Sequence, residues 1–586
     1  METFQELLAK KFAGALAKAG LPETGELTLT SDPRFGDYQS NAALILGKQR
    51  RENPRGVAAK ILTSLDVAEL CDPPQVAGAG FINFTLRPEA VTTKAAELLE
   101  DQKLGVATTA SPNRIVIDFG SPNVAKPMHV GHIRSIVLGD ALARIARFLG
   151  HEVIRDNHIG DWGTQFGMVI WGWKNLLDQQ ALARDPLAEI VRIYKETNER
   201  STIDPQIREA CRQELVKLQA GDKENLDIWN ECVAFSMQDF EHVYELLDIH
   251  YDIQCGESFY NDRLPGVVER LLKQSIAEMS EGAVVVFFRD NPELADKPCI
   301  IRKRDGGFNY ATSDIATVEY RVNELNRNTL WYVVGAPQIL HFKQIFEIAR
   351  RAGYQADFRH ITFGSVLGDD RKLMKTRSGE NVPLRQLLEE AGARARKIVE
   401  EKNPDLIEQE KTEIARKIGI GAVKYADLSQ YRMTDYIFSW DKMLALQGNT
   451  APYLQNAYVR IRSIFRKAGE ADSCSHGPMA GRAEDAPQGR GYKDSLVLAE
   501  SAEISLAKRL CQFAEVVPQV LNDFRPNILA NYLFELANSF HSFYEACPVL
   551  KAPEPTRSSR LVLCELTGRV LERGLDLLGI KVPEKM

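Results

Sequence analysis

Arg114-Ile115-Val116-Ile117-Asp118-Phe119-Gly120-Ser121-Pro122-Asn123-Val124-Ala125-Lys126-Pro127-Met128-His129-Val130-Gly131-His132 reads as a strand, a turn and the start of a helix. Arg114 to Phe119 is a short run rich in β-branched side chains, and Gly120 to Met128 collects the turn formers Ser121, Pro122, Asn123 and Pro127. From Ile133 apolar residues recur at Val137, Ala141 and Ile145, the spacing of a helix with one buried face. A helix N-terminus that follows a strand offers free N–H groups and the positive end of the helix dipole, and so makes an anion site. His129 and His132, three residues apart, project near one another on the first turn and can donate to phosphate oxygens. Gly131 between them, having no Cβ, lets a sugar or a base approach the backbone. Two blander readings stay open: a partial metal site, which lacks a nearby third ligand and any Cys-x-x-Cys pair, and ordinary helix caps.

Just downstream stands Gly160-Asp161-Trp162-Gly163-Thr164-Gln165-Phe166-Gly167. Taken with Ile115 to His132, it closely resembles the catalytic core of class I aminoacyl-tRNA synthetases, and within that group the arginyl-tRNA synthetases. The resemblance continues through Phe35-Gly36-Asp37-Tyr38-Gln39-Ser40-Asn41, Tyr310-Ala311-Thr312-Ser313-Asp314-Ile315-Ala316, Val334-Gly335-Ala336-Pro337-Gln338 and Lys375-Thr376-Arg377-Ser378-Gly379, and ends on Leu578-Gly579-Ile580-Lys581-Val582-Pro583-Glu584-Lys585-Met586. It therefore spans nearly the whole chain. It implies ATP-dependent ligation of L-arginine to tRNA(Arg) through an arginyl-adenylate, with transfer to the 2′-hydroxyl of the terminal adenosine. It also implies Mg²⁺ bound mainly through the triphosphate and a monomer.

Composition agrees. The chain has 586 residues, long enough for several domains, with 44% hydrophobic and 26% charged residues. Met1 to Gly20 mixes Glu2, Glu6, Lys10, Lys11 and Lys18 into an amphipathic helical pattern, which fits neither a signal peptide nor a membrane span. Nine cysteines are scattered singly and read as reduced thiols of a cytoplasmic protein, and no structural zinc is expected. The net charge of −7 argues against nucleic-acid binding by bulk electrostatics but leaves room for a local basic surface.

The pattern changes along the chain suggest an α/β multidomain architecture. Residues 1–110 form a small α/β unit with a first helix, short strands at Glu26 to Thr30 and Phe81 to Leu86, and a helix from Pro88 to Leu99. The resemblance makes this the domain that touches the tRNA elbow, with Phe81 and Asn83 as a stacking ring and a hydrogen-bonding amide; by themselves these could be a core residue and an edge residue. Residues 111–440 alternate strands and helices, as a doubly wound, Rossmann-like parallel sheet does, with a mostly helical insertion over about 174–281. Residues 441–586 read as a helical bundle, which the resemblance makes the anticodon-binding domain. Ala468 to Tyr492, rich in Gly, Ala, Ser, Pro and Asp, is expected to be a long mobile loop.

Activation of a carboxylate by ATP needs no protein nucleophile, so donors and cations are the expected site residues, and His129, His132 and Lys126 fit. The chain lacks a Gly-x-Ser-x-Gly elbow, which leaves a Ser/His/Asp hydrolase without its nucleophile. Many class I enzymes carry a Lys-Met-Ser-Lys-Ser loop; here the corresponding stretch is Lys372-Leu373-Met374-Lys375-Thr376-Arg377. Aligned on the methionine, Thr376 replaces the second lysine, and the resemblance implies that Lys126 compensates. An alternative frame pairs Lys372 with Lys375, and Lys372 also reads as a solvated surface lysine. Carboxylates are the natural partners of a guanidinium. By resemblance Asp314 and Glu257 would supply them, Tyr310 would pack on the substrate, and Asp118, Asn123 and Gln338 would hold its ammonium and carboxylate groups. Tyr453, Arg460 and Arg462 are candidate tRNA contacts on a helix where core-facing tyrosines read equally well. Asn456 and Tyr458 stand where the family usually has tyrosine and histidine. Another class I synthetase and a non-catalytic tRNA-binding paralogue are the alternative readings.

Overall fold

The computed structural model describes residues 1–30, 32–368, 370–375, 382–473 and 496–586. The chain forms two compact units, each assembled from separated stretches: residues 1–108 with 446–576 and 581–586, and residues 109–445 with 577–580.

In the first unit, the helix Phe4–Lys18 begins at a reciprocal capping box between Thr3 and Glu6. Four antiparallel strands lie in the order Leu27–Leu29, Tyr38–Ser40, Phe81–Phe84, Gln75–Ala77. Ile82 and Phe84 face the core with no exposure, so Phe81 and Asn83 share the opposite face. The helices Ala451–Ser473, Ser501–Cys511, Phe513–Asn522, Pro526–Ala546 and, up to Asp576, Thr556–Leu577 belong to this same unit. Side-chain bonds knit the two stretches together. The Tyr38 hydroxyl donates to the Glu515 carboxylate at 2.8 and 3.0 Å, Lys508 reaches Asp37 at 2.7 Å, and Arg569 donates to the Leu99 and Asp101 carbonyls at 2.6 and 2.7 Å.

The helix Ala451–Ser473 runs into the stretch expected to be a loop. Its buried stripe of Leu454, Ala457, Tyr458, Ile461 and Ile464 continues to Ala468, so the helical register outlasts the change in composition. The remainder of that expectation, residues 474–492, lies outside the described residues.

In the second unit four parallel strands lie in the order Asp357–His360, Thr329–Val333, Arg114–Phe119, Glu152–Asp156. Ile115, Val116, Ile117 and Phe119 are wholly buried, as a central parallel strand covered on both faces requires. The helix Val130–Phe148 can close on this strand because residue 139 is glycine; a Cβ there would collide with the Phe119 ring. The strand order reverses between Arg114–Phe119 and Thr329–Val333, and at such a switch point the carboxyl ends of the strands open a crevice.

Helices from Gln165 to Leu247 and the helix Leu264–Lys273 fill most of the insertion, and a strand, Glu278–Ser280, ends it. Strands Glu278–Ser280, Ala283–Val286 and Cys299–Arg302 form a three-stranded antiparallel sheet. They hide from a search for helical periodicity because each is only three or four residues long, and Glu281-Gly282, both at positive φ, make the first turn. The helix Tyr310–Glu319 then continues into a π-helical turn, Tyr320–Glu324. Among the described residues no helix is long and apolar enough to cross a membrane.

Candidate active site

The turn between Phe119 and His129 is bent through two non-glycine residues at positive φ, Ser121 and Ala125. Such conformations cost about 1–3 kcal/mol each and persist only where neighbours fix them. The Gly160 to Gln165 motif supplies the fixing. Val124 N–H donates to the Gly160 carbonyl at 3.1 Å, Gly160 N–H donates to that of Pro122 at 3.0 Å, and Ala125 N–H donates to Ser236 Oγ at 3.0 Å. The absence of a Cβ at Gly160 leaves room for the Asn123 amide oxygen, which a larger residue would displace.

The helix N-terminus differs from the expected anion site in one respect: its first amides are already used. Val130 N–H donates to the Val382 carbonyl at 2.9 Å, His132 N–H to the His129 carbonyl at 2.9 Å, and Gly131 N–H to His129 Nδ1 at 3.1 Å. His129 N–H in turn donates to His132 Nδ1 at 3.1 Å. His129 Nδ1 accepts, which assigns that ring's proton to Nε2; His132 Nδ1 lies 3.1 Å from the His129 N–H and 3.2 Å from the His129 carbonyl, and accepting the shorter, amide contact leaves its proton on Nε2 as well. Burial, helped by Lys126, lowers the His129 pKa, and burial with the neighbouring ring pushes His132 down to about 4. The ring centroids are 4.1 Å apart. Two neutral imidazoles with Nε2–H donors thus stand where free amides were expected. Gly131 answers a constraint within the chain, because a Cβ there would lie 2.8 Å from the His129 ring.

Lys126 is exposed, with its ammonium 5.5 Å from the Tyr194 ring centre. Lys372 and Lys375 line a cavity of about 940 Å³ together with Asp370, Arg394, Trp440 and Asp441. Lys126, His129 and His132 are not among its lining residues. Thr376 and Arg377 lie outside the described residues.

A second polar cluster forms around Glu257 and Asp314. Glu257 opens a 3₁₀ turn, and its N–H donates to the Ile159 carbonyl at 3.0 Å. The turn is pinned by Asp161, which accepts from Ser258 N–H at 2.8 Å and Ser258 Oγ at 2.6 Å, while Trp229 donates to the Asp161 carbonyl at 2.7 Å. The downstream motif therefore serves both the turn before His129 and the Glu257 turn. Burial pushes Glu257 up to about 7, His158 opposes the shift, and the Asp314 and Asp161 carboxylates add to it. Asp314, half-buried on the helix Tyr310–Glu319, bonds His341 Nε2 at 2.6 Å. Tyr310 on the first turn of that helix is 60% exposed and free to pack on a ligand. Gln338 is exposed at the start of the helix Ile339–Arg351, and Asn123 is exposed on the turn.

Asp118 is buried and engaged. One oxygen accepts from Ser121 Oγ at 2.9 Å and the other from Arg321 at 2.6 Å. Arg321, on the π-helical turn and fully buried, also bonds Asp156 at 2.7 Å and lies 5.2 Å from the Tyr332 ring centre. Burial raises the Asp156 pKa against the opposing pull of Arg321. Sequence reading missed Arg321, Asp161 and His341. Only Asp161 carried a signal, its place in the motif.

On the first unit, Phe81 is 37% exposed and Asn83 is 7% exposed on a central strand. The ring is thus not core, and the amide is not on an edge. Tyr453 donates its hydroxyl to Asn538 Oδ1 at 2.7 Å, and His541 Nδ1 lies 2.6 Å from it. Arg460 lies over the Tyr544 ring, and Arg462 meets Glu584 at 3.4 Å.

Three family models match: "tRNA synthetases class I (R), catalytic domain" over residues 94–440, "DALR anticodon binding domain" over 454–586, and "Arginyl tRNA synthetase N terminal domain" over 6–86. The arginine–tRNA ligase of Synechococcus elongatus is 44% identical over 99% of both chains, and that of Chromobacterium violaceum 43% over the whole of both. Among solved structures, the arginyl-tRNA synthetases of Plasmodium falciparum and Thermus thermophilus superpose with TM-scores of 0.84 and 0.82, at 28% and 27% identity, covering all of both chains in each case. With its strand–turn–helix crevice, its paired imidazoles and a match along its full length, the chain belongs to the arginyl-tRNA synthetase family.

Proposed function

We propose that this chain ligates L-arginine to tRNA(Arg) with ATP, by way of an arginyl-adenylate, and delivers the acyl group to the 2′-hydroxyl of the terminal adenosine. The observation that carries this reading is the pair of half-buried carboxylates, Glu257 and Asp314, in the unit that also holds the paired imidazoles. Two carboxylates close enough that Asp314 raises the proton affinity of Glu257 form a site for a planar cation with donors on both edges.

In the first step a carboxylate oxygen of arginine attacks the α-phosphorus, and pyrophosphate leaves. In the second the 2′-hydroxyl oxygen attacks the carbonyl carbon, AMP leaves, and the hydroxyl proton passes to solvent. The chain's part is to position and to stabilise charge. His129 and His132 donate from Nε2–H to phosphate oxygens, and Gly131 lets the rings fold back over the turn. Lys126 is the principal cation, and Lys372 and Lys375 flank the outer phosphates. Glu257 and Asp314 hold the guanidinium, and Tyr310 packs on the side chain. Asn123 and Gln338 meet the substrate's polar end; Asp118, fixed by Arg321 and Ser121, presents its ammonium with a preset carboxylate. Mg²⁺ enters as part of the nucleotide substrate, held mainly through the triphosphate.

Phe81 and Asn83 would take a nucleotide of the tRNA elbow, on a first domain of residues 1–110, and Tyr453, Arg460 and Arg462 the anticodon arm, on a last one of 441–586. We read the enzyme as monomeric and cytoplasmic. The test is aminoacylation of tRNA by the purified chain with each of the twenty amino acids. Arginine alone is expected to be charged, and charging with any other would overturn the assignment.

A further inference from the structure

Asp314 already has a partner. His341 projects from the helix Ile339–Arg351 and places Nε2 2.6 Å from Asp314 Oδ2. Both side chains are half-buried, the imidazole 26% and the carboxylate 21% exposed. Glu257 faces Asp314 as a second carboxylate, and the Tyr332 hydroxyl, pushed up by burial, stays neutral beside it; the remaining titratable groups facing the pair carry little charge. His360, on the neighbouring strand Asp357–His360, is pushed down to about 4 by burial, with its Nε2 3.0 Å from the Val334 carbonyl. The Cys299 thiol, facing Asp314 from the antiparallel sheet, is pushed up to about 12 by burial and by that carboxylate. Burial alone would lower the His341 pKa, yet the hydrogen bond and charge of Asp314 raise it. The 2.6 Å contact with Asp314 therefore favours the protonated imidazole.

We infer that His341 is a positioning residue that aims Asp314 at the guanidinium site and gives up its proton when arginine enters, so that arginine binding is a proton-releasing step. The inference rests on the assignment of Asp314 and Glu257 to arginine. A guanidinium set between those carboxylates would share Asp314 with an imidazolium, and two like charges on one carboxylate disfavour the one that can lose a proton. The neutral ring keeps an Nε2–H to donate to Asp314, so the aim of the carboxylate survives the loss of charge. By linkage, acid favours the empty state and weakens arginine binding.

Glu257 releases protons on the same event, because its pKa of about 7 falls beside a cation, so the two sources must be separated. Calorimetric titration of the full chain with arginine, in two buffers of different ionisation enthalpy between pH 6 and pH 8.5, counts the protons released. His341→Gln keeps an amide donor but cannot titrate. Relative to wild type it is expected to release fewer protons near pH 7, and its arginine Kd should weaken between pH 8 and pH 6 by about tenfold less. Equal proton release and equal pH dependence in the two proteins would overturn the inference. Imidazole nitrogen resonances of the wild type give a second readout that does not depend on the variant folding. One ring should pass from charged to neutral on adding arginine near pH 6.5, and should not do so on adding citrulline, whose ureido group is uncharged. No such change would also overturn it. If the wild type does not bind arginine, the functional assignment itself fails; if it binds with unaltered proton counts in the variant, only the role of His341 does.

Discussion

Glu257 is folded into a setting that favours its protonated form, although recognition of a cation needs the carboxylate. Its pKa stands near 7 against an ordinary 4.5. Below pH 4.5 the folded and unfolded chains both hold the proton, and nothing is lost. As pH rises from 4.5 to 7 the unfolded chain releases it first, so stability falls across that window and stays low above it. Glu257→Gln is therefore expected to match wild type at pH 4 and to exceed it at pH 8 by about 1–3 kcal/mol, read from urea midpoints. Equal midpoints at both pH values would show that the charge carries no cost. Added arginine should raise the midpoint of wild type far more than that of the variant. Residues of this kind were unevenly legible. His129, Gly131 and His132 stood out because a local pattern of turn and helix surrounded them. Arg321 and His341 are single charged or titratable residues on helical faces, and only the fold brings them to Asp118 and Asp314, across 203 and 27 residues.

The turn between the strand Arg114–Phe119 and the helix Val130–Phe148 behaves as one rigid element, because backbone bonds to Gly160, Ser236, Val382 and Leu384 fix it along its length. Lys126 lies on that element, whereas Lys372 is an exposed residue lining a separate cavity. A cation whose backbone is preorganised loses less on binding phosphate. Lys126→Ala should lower ATP–pyrophosphate exchange, measured with tRNA present, by about 10²–10³-fold, and Lys372→Ala by about tenfold less; equal effects would reject Lys126 as the principal cation. The element was legible from sequence because strand, turn formers and helical period follow one another without a break. The short strands from Glu278 to Arg302 were not, since runs of three or four residues carry no periodicity. Nor did the sequence reveal that the first helical amides are occupied, because Val382 lies 252 residues from Val130 along the chain.

At the scale of the molecule, each unit is built from stretches far apart in sequence, which no local pattern announces. Leu577, the last residue of the helix Thr556–Leu577, and Leu578 to Ile580 after it belong to the second unit, although the rest of that helix belongs to the first. Leu577, Leu578 and Ile580 are 3%, 1% and 1% exposed, and the Gly579 carbonyl accepts from the buried Lys424 ammonium at 2.6 Å. Leu578→Ala should cost about 2–5 kcal/mol. Hydrogen exchange followed by mass spectrometry should show the loss in the parallel strands between Arg114 and His360, and leave the helices from Ala451 to Ala546 protected; loss confined to those helices would refute the assignment of this segment. The same four residues set a timetable for synthesis. A ribosome that has finished residue 445 has made every strand of the parallel sheet and both imidazoles, yet it must translate all of 446–576 before the missing piece emerges. A nascent chain stalled within that interval would expose an unfinished core to chaperones and proteases, and only a chain carried to Ile580 can close it.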